Sequence, residues 1–483
     1  MPNSMYFILA TVALIVGYIV YGTIVEKVFG LRPDRATPAK TLADGVDYVE
    51  MPAWKIWLIQ LLNIAGVGPV FGPILGALWG PAALLWIVIG CIFAGAVHDY
   101  FAGMLSIRYN GANVPNIVGY NLGAIAKAVM QLFSVVLLVL VGVVFVAAPA
   151  GLLKNIAATS WNMPWMSLTF WVVIIFAYYF LATIVPIDKI IGRIYPIFGV
   201  ILGIMAVGIT ITLFTSGTEF YNTLQWTNQH PKGAPLFPLV FITIACGAIS
   251  GFHATQSPLM ARCVGSERLG RPIFYGSMIA EGFIGLVWAT VGMSFYHGPE
   301  ALQAAIAAGG PGKIVTDTSL ALMGPVGGVL AILGVVVLPI TSGDTAFRAA
   351  RLTISEAFNL SQKKIGSRLA LAVPIFIIGI ILSRVDFTII WRYFGWANQS
   401  LATIVLWAGA AYLLRRDRFH WICSIPATFM TAVATSYICY EPKMGFGIPI
   451  DMSNIIGVAA AVIAFVAFML LGRRAIAGAP ENV

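Results

Sequence analysis

From Gln60 to Pro73 the chain reads QLLNIAGVGPVFGP, and from Cys246 to Pro258 it reads CGAISGFHATQSP. Both stretches lie inside long apolar runs, and both are built to interrupt a helix. Three glycines and two prolines fall within the eight residues 66–73, which removes helix hydrogen bonds and leaves backbone amides and carbonyls unpaired. At membrane depth such groups are tolerated only against other protein or a polar cavity.

Working outward, the 483 residues are 59% apolar and only 10% charged, whereas a soluble domain carries about a quarter charged residues. That excludes an ordinary soluble enzyme. Reading apolar runs against their charged or Pro/Gly-rich ends predicts about thirteen transmembrane helices in an all-α polytopic protein, residues 1–483 forming one integral membrane domain. The interrupted stretches lie in span 2 (residues 54–79) and span 7 (residues 236–256). The opening MPNSMYFILATVALIV has no basic leader or small-residue cleavage site and is expected to be a retained helix. Five cysteines form no CxxC pair, so no metal ribbon or disulfide framework is expected.

Net charge is +9. A nucleic-acid reading fails because the cations sit between apolar segments. Of 28 Lys and Arg residues, 22 fall in alternate loops, and the intervening loops hold Lys154, Lys232, Lys313, Arg384, Arg392 and Lys443. By the positive-inside rule this predicts an N-terminus outside and a C-terminus in the cytoplasm.

The two interrupted spans are five apart, an odd offset, so spans 2–6 (54–214) and 7–11 (236–414) form an expected inverted repeat. A peripheral helix (4–25) precedes it and two helices (420–471) follow. Interrupted segments at matching places in two halves point to a secondary transporter's substrate site. The next span of each half carries acids, His98 with Asp99 in one and Glu281 in the other. Kinks that merely allow close packing are the alternative, but the five-span offset and the paired acid-bearing helices favour the repeat.

These residues carry a resemblance. TPA at Thr37, DGVDYV at Asp44, IAGVGPVFGPILGA from Ile64, AGAVHDY from Ala94, TIACGAISGFHA from Thr243, Glu281, TSGDTAFRAAR from Thr341 and WANQ from Trp396 look like motifs of the carbon starvation protein A (CstA) family. The resemblance runs from Tyr18 to about Ala411. It implies uptake of peptides during carbon limitation, with some relatives moving pyruvate with protons, and a place in the amino acid, polyamine and organocation superfamily with its LeuT-like 5+5 core. Members of the longer branch carry a His pair before IAGxGP, where this chain has Leu61, Leu62 and Asn63. The chain is short for the family, and extra C-terminal helices are expected to be absent.

The expected substrate site comprises Gln60, Asn63, Gly66, Gly68, Pro69, Gly251, Phe252 and His253. Half-helix N-termini at the breaks can hold a carboxylate on backbone amides. Gln60 and Asn63, three apart, share a helix face, where they either bind a peptide or carboxylate or hold two helices together. For ion coupling the candidates are Glu281, Asp99, His98 and, by analogy with the sodium site of a LeuT-like core, Thr341 and Ser342. A carboxyl inside an apolar helix is a functional candidate by default, a structural ion pair being the alternative. Asp344 with Arg348 and Arg351 reads as a structural ion-pair face, and Asn398 and Gln399 either line a cavity or, as the favoured reading, bridge helices.

The expected partners are a small solute, a coupling ion and the lipid bilayer, with no nucleic acid, cofactor or metal. No Walker motif is present, so a gradient must drive transport. The rival is an intramembrane acid-base or metal-dependent enzyme built on Glu281, Asp99 and His253; it lacks HExxH or a serine elbow.

Overall fold

The computed structural model describes residues 3–473 apart from 46, 160, 185–186, 216, 218–226, 361 and 363, and all regular structure among them is helical. Besides the short helices Pro38–Thr41 and Val114–Leu122, the helices are α1 (Met5–Phe29), α2 (Ala53–Ile64), α3 (Gly68–Gly76), α4 (Ala82–Arg108), α5 (Ala124–Thr159), α6 (Leu168–Ile184), α7 (Ile187–Thr215), α8 (Leu236–Thr243) and α9 (Gly251–Ala261). After them come α10 (Glu267–Ser294), α11 (Pro299–Ala357), α12 (Ile365–Leu382), α13 (Phe387–Leu414), α14 (Trp421–Tyr440) and α15 (Ile450–Leu471).

Among the described residues ten helices are long and apolar enough to cross a bilayer, and the bent pair Ala53–Ile64 and Gly68–Trp79, counted as one span, makes eleven. The chain is therefore a multi-pass integral membrane protein. Thirteen spans are expected from sequence, and the difference has two sources. The fifth expected span is α6, an apolar helix of 17 described residues that is just shorter than the ten counted. The seventh is divided into α8 and α9 by residues 244–250, where Gly247 takes φ +88°, a left-handed conformation closed to most side chains.

Span 9 is longer than expected. It is the middle of α11, a 59-residue helical run that would measure about 88 Å if straight, nearly three times the hydrocarbon thickness. Non-helical backbone at Gly309, Gly310 and Gly324 breaks it.

α13, α10 and α4 are mostly buried in protein, whereas few residues of α1 and α15 are buried. The exposed face of α15 carries Ile455, Val458, Val462 and Leu470, a surface suited to lipid rather than water.

The centre is a crossed arrangement. α3, which follows the first break, packs on the Glu281 helix α10; α9, which follows the second, packs on the Asp99 helix α4; and α9 also packs on α2. Glycine makes the approach possible: a Cβ on Gly72 would stand 2.8 Å from the Thr243 carbonyl oxygen, and one on Gly68 would overlap the Cys246 side chain. All five cysteines are buried and free.

Candidate functional site

The first break follows from local sequence. α2 ends at Ile64, Ala65 leaves helical geometry with ψ 68°, and α3 restarts at Gly68 with Pro69 in its first turn, where the missing proline N–H is harmless. The two halves meet at 50°. Ser342 on α11 donates its hydroxyl to the Leu62 carbonyl at 3.0 Å, satisfying one of the orphan acceptors at the end of α2. The Thr341 hydroxyl instead bonds the Leu338 carbonyl of its own helix at 2.8 Å. The two hydroxyls expected to act together therefore point to different partners.

At the second break α9 begins at Gly251 and is capped from another helix. The Phe252 amide donates to Asn398 Oδ1 at 2.7 Å, and Asn398 Nδ2 donates to Ser250 Oγ at 3.1 Å. Asn398 thus bridges α13 to the break, and Gln399 bridges α13 to α8 through the Phe241 carbonyl at 2.8 Å. The Phe252 amide is occupied, whereas α3 has no side-chain cap.

Gln60 joins the two broken spans. Its Nε2 donates to Ser257 Oγ at 3.2 Å, and Ser257 in turn donates to the His253 carbonyl at 3.0 Å. The amide nitrogen therefore holds helices together, while Oε1 is buried without a partner. Asn63 is buried on the same helix. Gly66 faces Phe145, whose ring would collide with a Cβ there and packs edge-on to Phe252 at 5.7 Å.

His98, Asp99, His253 and Glu281 are all fully buried and form one row. His98 Nδ1 lies 2.8 Å from Asp99 Oδ1, His253 Nδ1 lies 2.9 Å from Asp99 Oδ2, and His253 Nε2 lies 3.4 Å from Glu281 Oε1. A carboxylate only accepts, so His253 donates from Nδ1 to Asp99. Its Nε2 has no hydrogen-bond partner; on closing from 3.4 Å it would either accept from a Glu281 carboxylic acid or donate to a carboxylate. Neither oxygen of Glu281 has a hydrogen-bond partner. The row can therefore take up or release a proton with little movement of heavy atoms.

Cys246 was not singled out for this site by sequence, yet its Sγ, a His253 ring nitrogen and a Glu281 oxygen lie within 4.8 Å of one another, the sole such metal-ligand trio among the described residues. Sequence could not have paired them, because the three come from the break, α9 and α10. Arg108, read only as a loop cation, is buried against Glu267. The Asp344–Arg348 pair stands at 3.6 Å, but Arg351 is buried with Nε and Nη1 unpartnered and does not join it.

A cavity of about 1190 Å³ leads from the face with few cations down to Phe71 on α3, Thr243 at the end of α8, and Thr316. Phe71, Phe387 and Trp391 cluster along its wall, with ring centroids 5.7–6.2 Å apart. At its rim, the Thr388 hydroxyl and amide hold the Asp386 carboxyl below the usual carboxylate range, and burial together with Lys232 holds His230 below the usual imidazole value. On the opposite face, Ser134, Thr255, Arg262, Thr353 and Glu356 line a pocket of about 30 Å³, enough for a water or two.

The family model for carbon starvation protein CstA matches residues 3–169, 140–300 and 297–437. A membrane protein of Haemophilus influenzae is 51% identical over 64% of this chain and 95% of its own length. The peptide transporter CstA of Bacillus subtilis is 26% identical over 91% of this chain and 90% of its own. The pyruvate/proton symporter BtsT of Escherichia coli is 27% identical over 59% and 48%. Among solved structures, the nucleobase-cation-symport-1 family transporter Mhp1, closed with bromovinylhydantoin bound, superposes with a TM-score of 0.55 at 15% identity, covering 87% of this chain and 92% of that one. That likeness shows the LeuT-like fold.

Proposed function

The chain belongs to the carbon starvation protein CstA family, and from that premise we propose that it imports small peptides, or a small carboxylate such as pyruvate, by proton-coupled alternating access. Its named relatives and structural neighbours are transporters, so it is a membrane transporter rather than an enzyme. Substrate binds between the two breaks, beside Gln60, Asn63, Gly66, Gly68 and Pro69 on one side and Gly251, Phe252 and His253 on the other. Residues 54–214 and 236–414 act as the two inverted repeats, with the N-terminus outside a bacterial inner membrane and the C-terminus cytoplasmic.

The observation that carries the proton reading is the buried row Asp99–His253–Glu281, which joins α4, α9 and α10. An ionised Asp99 with an imidazolium on His253 is a neutral pair, and Glu281 beside it adds a net charge unless it holds a proton. Isolated charge at membrane depth is expensive, so the state of Glu281 is tied to what else occupies the site. His98 steadies Asp99 from its other oxygen. A sodium-coupled alternative rests on Ser342 beside the Leu62 carbonyl. The turning of Thr341 toward its own helix argues against it.

The test is uptake by purified protein in liposomes, comparing labelled dipeptides and pyruvate under a pH gradient, a sodium gradient and neither. Accumulation above equilibrium with the pH gradient alone supports the proposal. Accumulation driven by sodium alone, or none under either gradient, overturns it.

A further inference from the structure

Sequence treats the six Lys and Arg residues outside the cation-rich loops as the minority of a topology signal. The structure brings five of them together. Lys154, Lys232, Lys313, Arg384 and Arg392, from four separate parts of the chain, all line the large cavity. Cations on the translocated side run against the bias that orients membrane helices, so topology does not account for their convergence.

Charge pairing within the cavity is incomplete. Lys313 pairs with Asp317 at 2.6 Å and Arg392 with Glu441 at 3.1 Å. Asp386 is occupied by the Thr388 amide at 2.9 Å. Among the described residues, no carboxylate lies within ion-pair distance of Lys154, Lys232 or Arg384, and all three are exposed. Counting five cations against Asp317, Asp386 and Glu441 leaves the lining net positive. Its walls include the apolar Phe71, Leu78, Trp79 and Trp391, and low-dielectric walls focus a field into a cleft.

We infer that this vestibule is an outer binding site for net-anionic carboxylate solutes, drawn in by Lys154, Lys232 and Arg384, which ranks anionic substrates ahead of neutral and cationic ones before they reach the helix breaks. The inference rests on the transporter reading and narrows its substrate class: organic acids and acidic peptides are favoured over neutral or basic peptides. An ordinary solvated rim would scatter its cations around the outer face, with no reason to leave three unpaired in one cleft.

The experiment measures initial uptake rates of pyruvate, alanyl-glutamate, alanyl-alanine and alanyl-lysine in liposomes, at low salt and at ~0.5 M salt, where exposed charges more than a few ångströms apart are screened. The wild-type protein should show a higher kcat/KM for the two anions at low salt, with the preference shrinking at high salt. In K154Q/K232Q/R384Q, kcat/KM for the anions should fall about fivefold at low salt, the size of the Coulomb effect of a few charges across a wet cleft, with kcat unchanged. Alanyl-lysine uptake should hold or rise, which also reports that the variant is folded. The charge-conserving K154R/K232R/R384K should keep the wild-type ranking. K443Q, a cation on the same face outside the cavity lining, should also keep it.

A ranking that survives the triple neutralisation, or that K443Q abolishes equally, overturns the inference while leaving transport intact. If wild-type protein accumulates none of the four solutes, the transporter reading itself falls. A triple variant inactive toward everything is replaced by the three single variants. Each should lower anion uptake selectively, and equal losses for alanyl-lysine would overturn the inference.

Discussion

Arg108 and Glu267 form a two-point ion pair sealed from solvent, with Nε 3.0 Å from Oε1 and Nη2 2.9 Å from Oε2. The same guanidinium donates to the Gly30 carbonyl at 2.7 Å and to the Tyr412 hydroxyl, and sits over the Phe29 ring. One side chain therefore ties together the end of α1, α4, the start of α10 and α13.

Removing one member of such a pair strands the other charge and costs about 3–5 kcal/mol, whereas replacing both with apolar groups costs far less. Glu267→Gln should lower the unfolding midpoint in detergent clearly. R108M/E267L should be more stable than either single substitution. Additive losses in the double variant would show that the two residues do not act as a pair.

Glu281→Gln keeps the shape of a carboxylic acid but can never release a proton. Uptake driven by a pH gradient should fall to the equilibrium level, while exchange of labelled for unlabelled substrate continues. Loss of exchange as well would assign Glu281 to substrate binding or structure. Asp99→Asn should impair both, because it leaves one acceptor oxygen where His98 and His253 each use one.

Gly72 has no room for a side chain, since the neighbour at 2.8 Å is a backbone oxygen. Gly72→Ala should cost about 1–3 kcal/mol, the usual range for overpacking, and should slow transport by separating α3 from α8. Gly203 on α7 has open space around its Cβ direction, so Gly203→Ala should be neutral or stabilising by up to about 1 kcal/mol. Thermal unfolding of the two variants side by side checks this.

Ser342→Ala removes the donor that covers the buried Leu62 carbonyl, a loss of about 1–3 kcal/mol. Stability should drop by that amount and uptake should stay indifferent to sodium. A sodium requirement in the wild-type protein that disappears in the variant would make Ser342 a cation ligand.

Chelation separates proton chemistry from metal chemistry at the same residues. Cys246, His253 and Glu281 have the donor types for a transition metal, but a proton shuttle needs none. EDTA should leave uptake unchanged and Cys246→Ser should remain active. Activity lost to EDTA and restored by zinc would favour a metal centre.

Much of the fold was legible because membrane depth restricts the options. Apolar runs longer than about 18 residues read as spans, and the GVGP and GAISG stretches could not be plain helices in hydrocarbon. The divided α8–α9 pair marks where a hydropathy count and a helix count part, because one apolar run holds two helices. Asp99, His253 and Glu281 were found because acids and imidazoles stand out in apolar helices. Asn398 was legible as a helix bridge and does bridge α13 to the second break, but Ser257, which bonds the His253 carbonyl, was not, because small polar residues in membrane helices are common and carry no such flag. Arg108 was misread for a related reason: at the end of a span, a cation that fits the topology pattern looks the same whether it meets water or a buried Glu267.

The hydrogen-bond chain from Gln60 through Ser257 to the His253 carbonyl has a thermodynamic corollary under the proposed roles. Substrate at the first break and a proton on the His253 row are then two ligands of one equilibrium. Whatever factor the substrate adds to proton affinity, the proton must add to substrate affinity. The shift in apparent substrate dissociation constant with pH would therefore equal the shift in proton binding that substrate causes, and calorimetry in two buffers of different ionisation heat would count the protons directly.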